Sequence, residues 1–211
     1  MGPNVLWLTD ALTQVLDLRP GMRVLDMGCG TALSSIFLAR EFGVEVWAVD
    51  LWVPPHDNFA RIREAGLMEK VYALHAEGRA YSFQKDFFDL AISVDSYHYW
   101  GCDPTQLDYV ASFVRPSGHI AIVVPGDADD SHPVGTFHSA MWWRELWEQS
   151  REVRVEHAEM LDDGWDLWWQ FCEASAAWSG KPVMEVGDAE MLTSTRSLGF
   201  TRVIARREAV E

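Results

Sequence analysis

Two glycines and an acidic residue stand where a short apolar run gives way to a turn, in Val24-Leu25-Asp26-Met27-Gly28-Cys29-Gly30-Thr31-Ala32. Gly28 and Gly30 let the backbone turn sharply and let a ligand approach with no Cβ in the way. Asp50 ends the next apolar run, 24 residues on from Asp26, where a carboxylate can accept hydrogen bonds from both hydroxyls of a ribose. A two-glycine turn alone is also a plain strand-to-helix connection; its coincidence with Asp50 points to a nucleotide-type ligand. A dinucleotide would want a third glycine at the position Leu33 holds, and its pyrophosphate would lie against Asp26. A zwitterionic ligand without phosphate suits the turn better than NAD.

Further along, Glu77-Gly78 and Asp95 follow two more apolar runs, and His98 comes three residues after Asp95, framed by Tyr97, Tyr99 and Trp100. An imidazole there could hold or move a proton near neutral pH, or simply cap a helix or pack on its neighbouring rings. His132 and His138 rank below it: one lies in a polar loop, the other at a helix start where it could bond the backbone.

These residues need a scaffold that brings strand ends together. Helical spacing from Val5 to Leu18 is stopped by Pro20-Gly21, and Arg23–Met27 reads as the first strand, with a helix from Ala32 to Glu41. Val44–Val49, Val71–His75, Phe88–Val94 and Gly118–Val124 are expected as strands, with helices over Asn58–Ala65 and Gln106–Phe113. Strands alternating with helices imply a parallel sheet covered on both faces. Ligands of such sheets bind at the carboxyl ends of the strands, where Gly28, Asp50, Glu77 and Asp95 all fall. After Pro125 the pattern changes: helices over Ser139–Gln149, Leu167–Trp178 and Asp188–Ser197, strands over Val153–Met160 and Phe200–Ala205, and a polar loop over Asp127–Phe137 suited to surface mobility.

The 211 residues fit one domain with a substantial core. With 17 basic and 32 acidic residues the formal charge is -15, a surface that repels phosphate backbones and anionic lipid, so neither nucleic acid nor membrane is expected as a partner. Cys29, Cys102 and Cys172 are odd in number and widely separated, against a disulfide framework or a zinc site. That usage, with no basic-apolar leader near the N-terminus, sets the expectation of a cytoplasmic protein.

The D-x-G-x-G turn of Asp26 to Gly30, the Val-Asp end of the second strand and Val114-Arg115-Pro116-Ser117-Gly118 before the fifth resemble the class I S-adenosylmethionine-dependent methyltransferases. Bacterial small-molecule members carry an Asp-Ser-Tyr-His-Tyr segment after strand four, as at Asp95–Tyr99. The resemblance covers residues 1–126. It implies a three-layer Rossmann-like α/β fold, a mainly parallel seven-stranded sheet with a C-terminal antiparallel strand, in one domain. The cofactor half would span 1–126 and the acceptor-side elements 127–198. It implies S-adenosyl-L-methionine as cofactor: Gly28 and Gly30 against the methionine part, Asp26 organising the turn and the ammonium site, and Asp50 with Leu51 at the ribose. Glu77 and Gly78 would meet the adenine, the family more often carrying Asp at the first, and Asp95 would face the methionine end.

Methyl transfer is an in-line displacement that gains most from alignment and exclusion of water. A base that removes an acceptor proton adds roughly 10² to 10⁴ in rate, and His98 is the candidate. The expected acceptor is a small, neutral or cationic, partly aromatic metabolite. Among eleven tryptophans, the pairs Trp142-Trp143 and Trp168-Trp169, with Trp147 and Trp165, crowd the second half. One of each pair must face away from its helix core, where it could line an acceptor pocket, lie under the loop or support a homodimer. Asn4–Leu8 could fold over the cofactor. Competing readings are a cofactor-binding enzyme that catalyses a cyclisation or rearrangement, a non-catalytic binding partner retaining the fold, and a nicotinamide-dependent oxidoreductase.

Overall fold

The computed structural model describes residues 3–128 and 135–209. Seven strands form one sheet in the order β3-β2-β1-β4-β5-β7-β6. They are β1 (Arg23–Met27), β2 (Glu45–Asp50), β3 (Val71–His75), β4 (Phe88–Val94), β5 (Val114–Asp127), β6 (Val153–Met160) and β7 (Leu198–Arg207). The pairs from β3 through β5 are parallel, and β7 alone runs against its neighbours, antiparallel to both β5 and β6. This is the Rossmann-like architecture expected, including the reversed C-terminal strand.

Among the described residues seven α-helices flank the sheet: α1 (Val5–Thr13), α2 (Leu33–Phe42), α3 (Pro55–Glu64), α4 (Pro104–Ala111), α5 (Ala140–Trp147), α6 (Gly164–Ser179) and α7 (Ala189–Ser194). The period of two along each strand divides the core into two layers. Val24, Ile92, Ala121 and Val123 face α1, α2, α3, α6 and α7. Leu25, Ala91, Ile120 and Ile122 face α4 and α5, where Trp143 and Trp147 are wholly buried.

Some elements differ in extent from the sequence reading. The first helix ends at Thr13 rather than Leu18, and Leu16 N–H and Leu18 N–H then close short turns onto Thr13 and Leu16 carbonyls. Arg19 precedes Pro20, and a residue before proline is pushed out of the helical region. Strand β5 begins at Val114 rather than Gly118, absorbing Pro116 and a left-handed Ser117 (φ 66°) at a register shift against β4. The last helix stops at Ser194, and β7 reaches beyond Phe200–Ala205 at both ends. No helix among the described residues is long and apolar enough to cross a membrane. Of the polar loop expected over 127–137, residues 129–134, with His132, lie outside the described residues; Asp127 is buried and Phe137 half-buried.

Candidate cofactor and acceptor site

The turn after β1 is left-handed at Gly28 (φ 71°), Gly30 (φ 54°) and Ala32 (φ 60°). Glycine takes such values at no steric cost. Gly28 has a second constraint: a Cβ there would stand 2.6 Å from Ser96 Cβ and closer still to its Oγ. The turn is pinned from three sides. Gly28 and Cys29 N–H donate to Val49 O at 2.8 and 3.0 Å, Ser93 Oγ donates to Met27 O at 2.8 Å, and Asn58 Nδ2 donates to Gly30 O at 2.8 Å.

Asp50, buried at the end of β2, clamps this turn to its own loop. One carboxylate oxygen accepts Gly30 N–H at 2.8 Å; the other accepts Trp52 and Val53 N–H at 2.8 and 2.7 Å. Two-lone-pair counting leaves the first oxygen able to take one more donor.

Asp26 does not reach the cleft wall. It points under the turn, wholly buried, and one oxygen accepts both Ser34 and Ser35 hydroxyls at 2.6 Å. Its other oxygen has no partner. Burial outweighs those two hydrogen bonds and, with the nearby Asp50 charge, raises its pKa to about 6.

Above the turn lies a cleft of two lobes that share Gly28, Asp50, Trp52, Ser96 and Tyr99. The first, about 110 Å³, adds Pro3, Val5, Gly30, Ser34 and Asp95. The second, about 190 Å³, adds Leu51, Glu77, Gly78, Tyr81 and Trp100. Gly78 matters sterically, because a Cβ there would stand 2.8 Å from the Trp100 ring. All the strand-end residues expected at the ligand thus line one continuous cleft, and Pro3 and Val5 close its edge.

Asp95 holds a left-handed conformation (φ 52°), with its N–H on Val123 O at 2.8 Å. A non-glycine residue held there stores strain of a kind that collects at functional sites. A 3-10 turn follows at Tyr97–Tyr99. Tyr97 is buried in the opposite layer against Trp100, Trp143 and Trp147, while Tyr99 is 59% exposed over the cleft. Its ring meets that of Trp52, 75% exposed, at 5.8 Å.

His98 stands behind this wall rather than on it. Its ring packs between Tyr99 at 4.0 Å and Phe137 at 5.7 Å; the residue is buried, and neither ring nitrogen has a hydrogen-bond partner. Burial lowers its pKa to about 4, so it is neutral at physiological pH. Phe137 continues to Trp168 at 6.2 Å, and Trp168 Nε1 donates to Asp188 at 3.2 Å.

His138 stacks on Trp142 at 3.6 Å, away from the cleft. The crowded tryptophans divide as helical period requires. Trp143, Trp147 and Trp168 are core, Trp142 lies under His138, and Trp165 stacks on Trp169 with Arg196 over its face. None of them lines the cleft. Trp52, Ser96 and Tyr81 do; the signals the sequence offers for them are the place of Trp52 two residues beyond Asp50 and of Ser96 within the Asp95–Tyr99 segment, and Tyr81 has none.

The residues fit a phosphate-free, positively charged ligand. The shared floor offers glycine turns and Asp50; among the described residues the first lobe carries no basic side chain, and Arg79 in the second is the one basic side chain lining the cleft. Nothing here resembles a pyrophosphate cradle.

Comparison with known proteins agrees. Residues 24–118 match the family described as a methyltransferase domain. Among curated proteins, methyltransferase GfsG of Streptomyces halstedii is 29% identical over 127 residues, covering 58% of this chain and 46% of that one. The chain thus matches less than half the length of that relative. A geranyl diphosphate methyltransferase solved in complex with SAM superposes with a TM-score of 0.77 at 20% identity, covering 96% of this chain and 84% of that one. The [4+2]-cyclase SpnF superposes with a TM-score of 0.77 at 16% identity, covering 97% and 81%. Residues 24–118 thus match a methyltransferase domain, and the chain throughout has the fold of the solved S-adenosylmethionine-dependent methyltransferases.

Proposed function

We propose that this protein binds S-adenosylmethionine in the two-lobed cleft and methylates a small-molecule acceptor that enters beside Tyr99. The observation that carries the reading is the meeting of four strand ends, through Gly28, Asp50, Glu77 and Asp95, around one cleft.

When bound, the cofactor supplies an electrophilic methyl group on a sulfonium. Gly28 and Gly30 let its amino-acid end approach the backbone, Asp50 and Leu51 take the ribose, and Glu77 with Gly78 takes the base beside Trp100. Asp26 acts from beneath, holding the Ser34 and Ser35 end of α2 against the turn. Asp95 faces the methionine end. Trp52 and Tyr99 cover the middle of the cleft and exclude water, which favours a displacement whose charge is dispersed at its summit.

His98 is the candidate for orienting the acceptor. Being neutral with two unpartnered nitrogens, it can exchange hydrogen bonds with an acceptor O–H or N–H once Tyr99 or Phe137 yields. The cofactor elements before residue 126 and the acceptor-side elements of 127–198 act as one domain in this reading.

Titration calorimetry with S-adenosylmethionine and, separately, NADH tests the cofactor assignment: the first binds and the second does not. A cyclase among the neighbours of similar fold favours one alternative, in which the sulfonium serves as a fixed charge. Formation of S-adenosylhomocysteine with an acceptor separates the two, since only transfer consumes the cofactor.

A further inference from the structure

The arginines at one end of the sheet are already ion-paired, to Asp86, Asp89, Glu152, Glu156 and Glu208. Arg23, Arg115 and Arg154 stand at the starts of β1, β5 and β6, and the reversal of β7 carries Arg206 and Arg207 to that same end, opposite His119 and Val153. At the other end, Asp50, Asp95 and Asp127 close β2, follow β4 and close β5. With a formal charge of -15 the protein as a whole attracts a cation and repels an anion.

Beside the cleft the aromatic faces and the carboxylates coincide. Tyr99 and Trp52 present large exposed rings. Asp95 lines the lobe on one side of Tyr99. On the other, His98, Phe137 and Trp168 form a chain of ring contacts that leads to Asp188, itself exposed and bonded to Trp168. The fields of both Asp95 and Asp188 fall on the Tyr99 phenol and, after its partial burial, hold its pKa above the ordinary value. Within this group the wholly buried imidazole of His98 has both nitrogens unpartnered, as a group awaiting a polar ligand would. Exposed rings beside carboxylates recognise an ammonium by cation–π and charge attraction together, and the lobe that Asp95 lines has no basic side chain among its described residues.

We infer that the rings of Tyr99 and Trp52, with the carboxylates of Asp95 and Asp188, form a subsite for the ammonium group of an amine acceptor. This rests on the methyltransferase reading and narrows its substrate class. An amine suits such a subsite throughout. It arrives as an ammonium, gives one proton to water to free its lone pair, and takes the methyl group with a new N–C bond as the S–C bond of the sulfonium breaks to leave neutral S-adenosylhomocysteine, so nitrogen is cationic on arrival and departure. A phenol or alcohol is neutral at both ends and would gain nothing from the two carboxylates. Acceptors bearing phosphate or carboxylate are repelled.

The test uses three probes of one shape, 2-phenylethylamine, 2-phenylethanol and phenylacetate, titrated calorimetrically into the full chain saturated with S-adenosylhomocysteine. The amine is expected to bind about tenfold or more tighter than the alcohol, and phenylacetate not at all. Raising salt from about 0.05 to about 0.5 M should weaken the amine and leave the alcohol unchanged. Asp188→Asn keeps an acceptor for Trp168 Nε1 and should weaken the amine several-fold with cofactor affinity intact; if Asp188→Asn is unstable, Trp52→Leu should weaken the amine by a larger factor than it weakens the cofactor, whose cleft Trp52 also lines. Equal binding of amine and alcohol, tighter binding of phenylacetate, or no binding of the amine overturns the subsite. Loss of cofactor binding in the unmodified protein would instead overturn the methyltransferase reading, and the two failures are separately visible.

Discussion

Gly28 and Ser96 occupy one another's space: the missing Cβ of the first would overlap the side chain of the second, across the gap between the ends of β1 and β4. The glycine turn is closed from above by the segment that also carries Asp95 and Tyr99.

Gly28→Ala should therefore destabilise the protein by at least about 2 kcal/mol, combining the left-handed penalty with overlap. In the double variant with Ser96→Gly, the overlap part is recovered and the left-handed part remains. Thermal melts of the four proteins of this cycle check it; full additivity would show that the two residues do not meet.

Replacing Asp50 by alanine removes acceptors for three backbone N–H groups. The expected cost is about 2–4 kcal/mol in stability, with cofactor affinity down by more than tenfold. Denaturant melts and calorimetry on the same preparation read both.

Asp26 imposes a pH dependence of unusual sign. Its folded pKa of about 6 lies above its ordinary 3.8, so between those values the folded protein holds a proton that the unfolded chain has lost. This group's contribution to stability is full below about pH 4 and falls as pH rises through about 6. In Asp26→Asn the amide oxygen can still accept from Ser34 and Ser35. The variant's stability relative to the parent should be about 3 kcal/mol more favourable near neutral pH than near pH 4, measured by urea unfolding at both.

His98 works the other way. With a folded pKa of about 4 against an ordinary 6.5, the unfolded chain takes up its proton first as pH falls. Stability is lost from about pH 6.5 downward, levelling below about 4. His98→Phe removes that loss and leaves no buried nitrogen unpaired, so it should be at least as stable near neutral pH. If His98 orients the acceptor, turnover falls while cofactor affinity holds. An unchanged turnover would leave His98 a packing residue.

The fold was legible wherever period and punctuation agreed. Arg23–Met27, Val71–His75, Phe88–Val94 and Val153–Met160 read from sequence with the bounds they have in the structure, because each is a short run between clear breakers. Leu16 and Leu18 continued an apolar pattern that Pro20 had already made unable to stay helical. Strand ends located Gly28, Asp50, Glu77 and Asp95, since a parallel sheet puts them at one edge. Trp52 and Tyr81 come to the cleft through loop geometry, which no local pattern encodes. Which member of each tryptophan pair faces the core depends on helix phase, and His98 looked like a cleft residue because nothing local shows that Tyr99 stands in front of it.

The triple use of the Asp50 carboxylate restricts how this protein could diverge. A wall residue that only touched the ligand could be exchanged freely as the ligand changed. Asp50 also fixes the amides of Gly30, Trp52 and Val53, so a change of nucleotide preference at this position would loosen the turn and the loop that carries Trp52 together. Novelty should accumulate instead at Tyr99, Phe137 and Asp188, whose side chains hold no part of that turn in place.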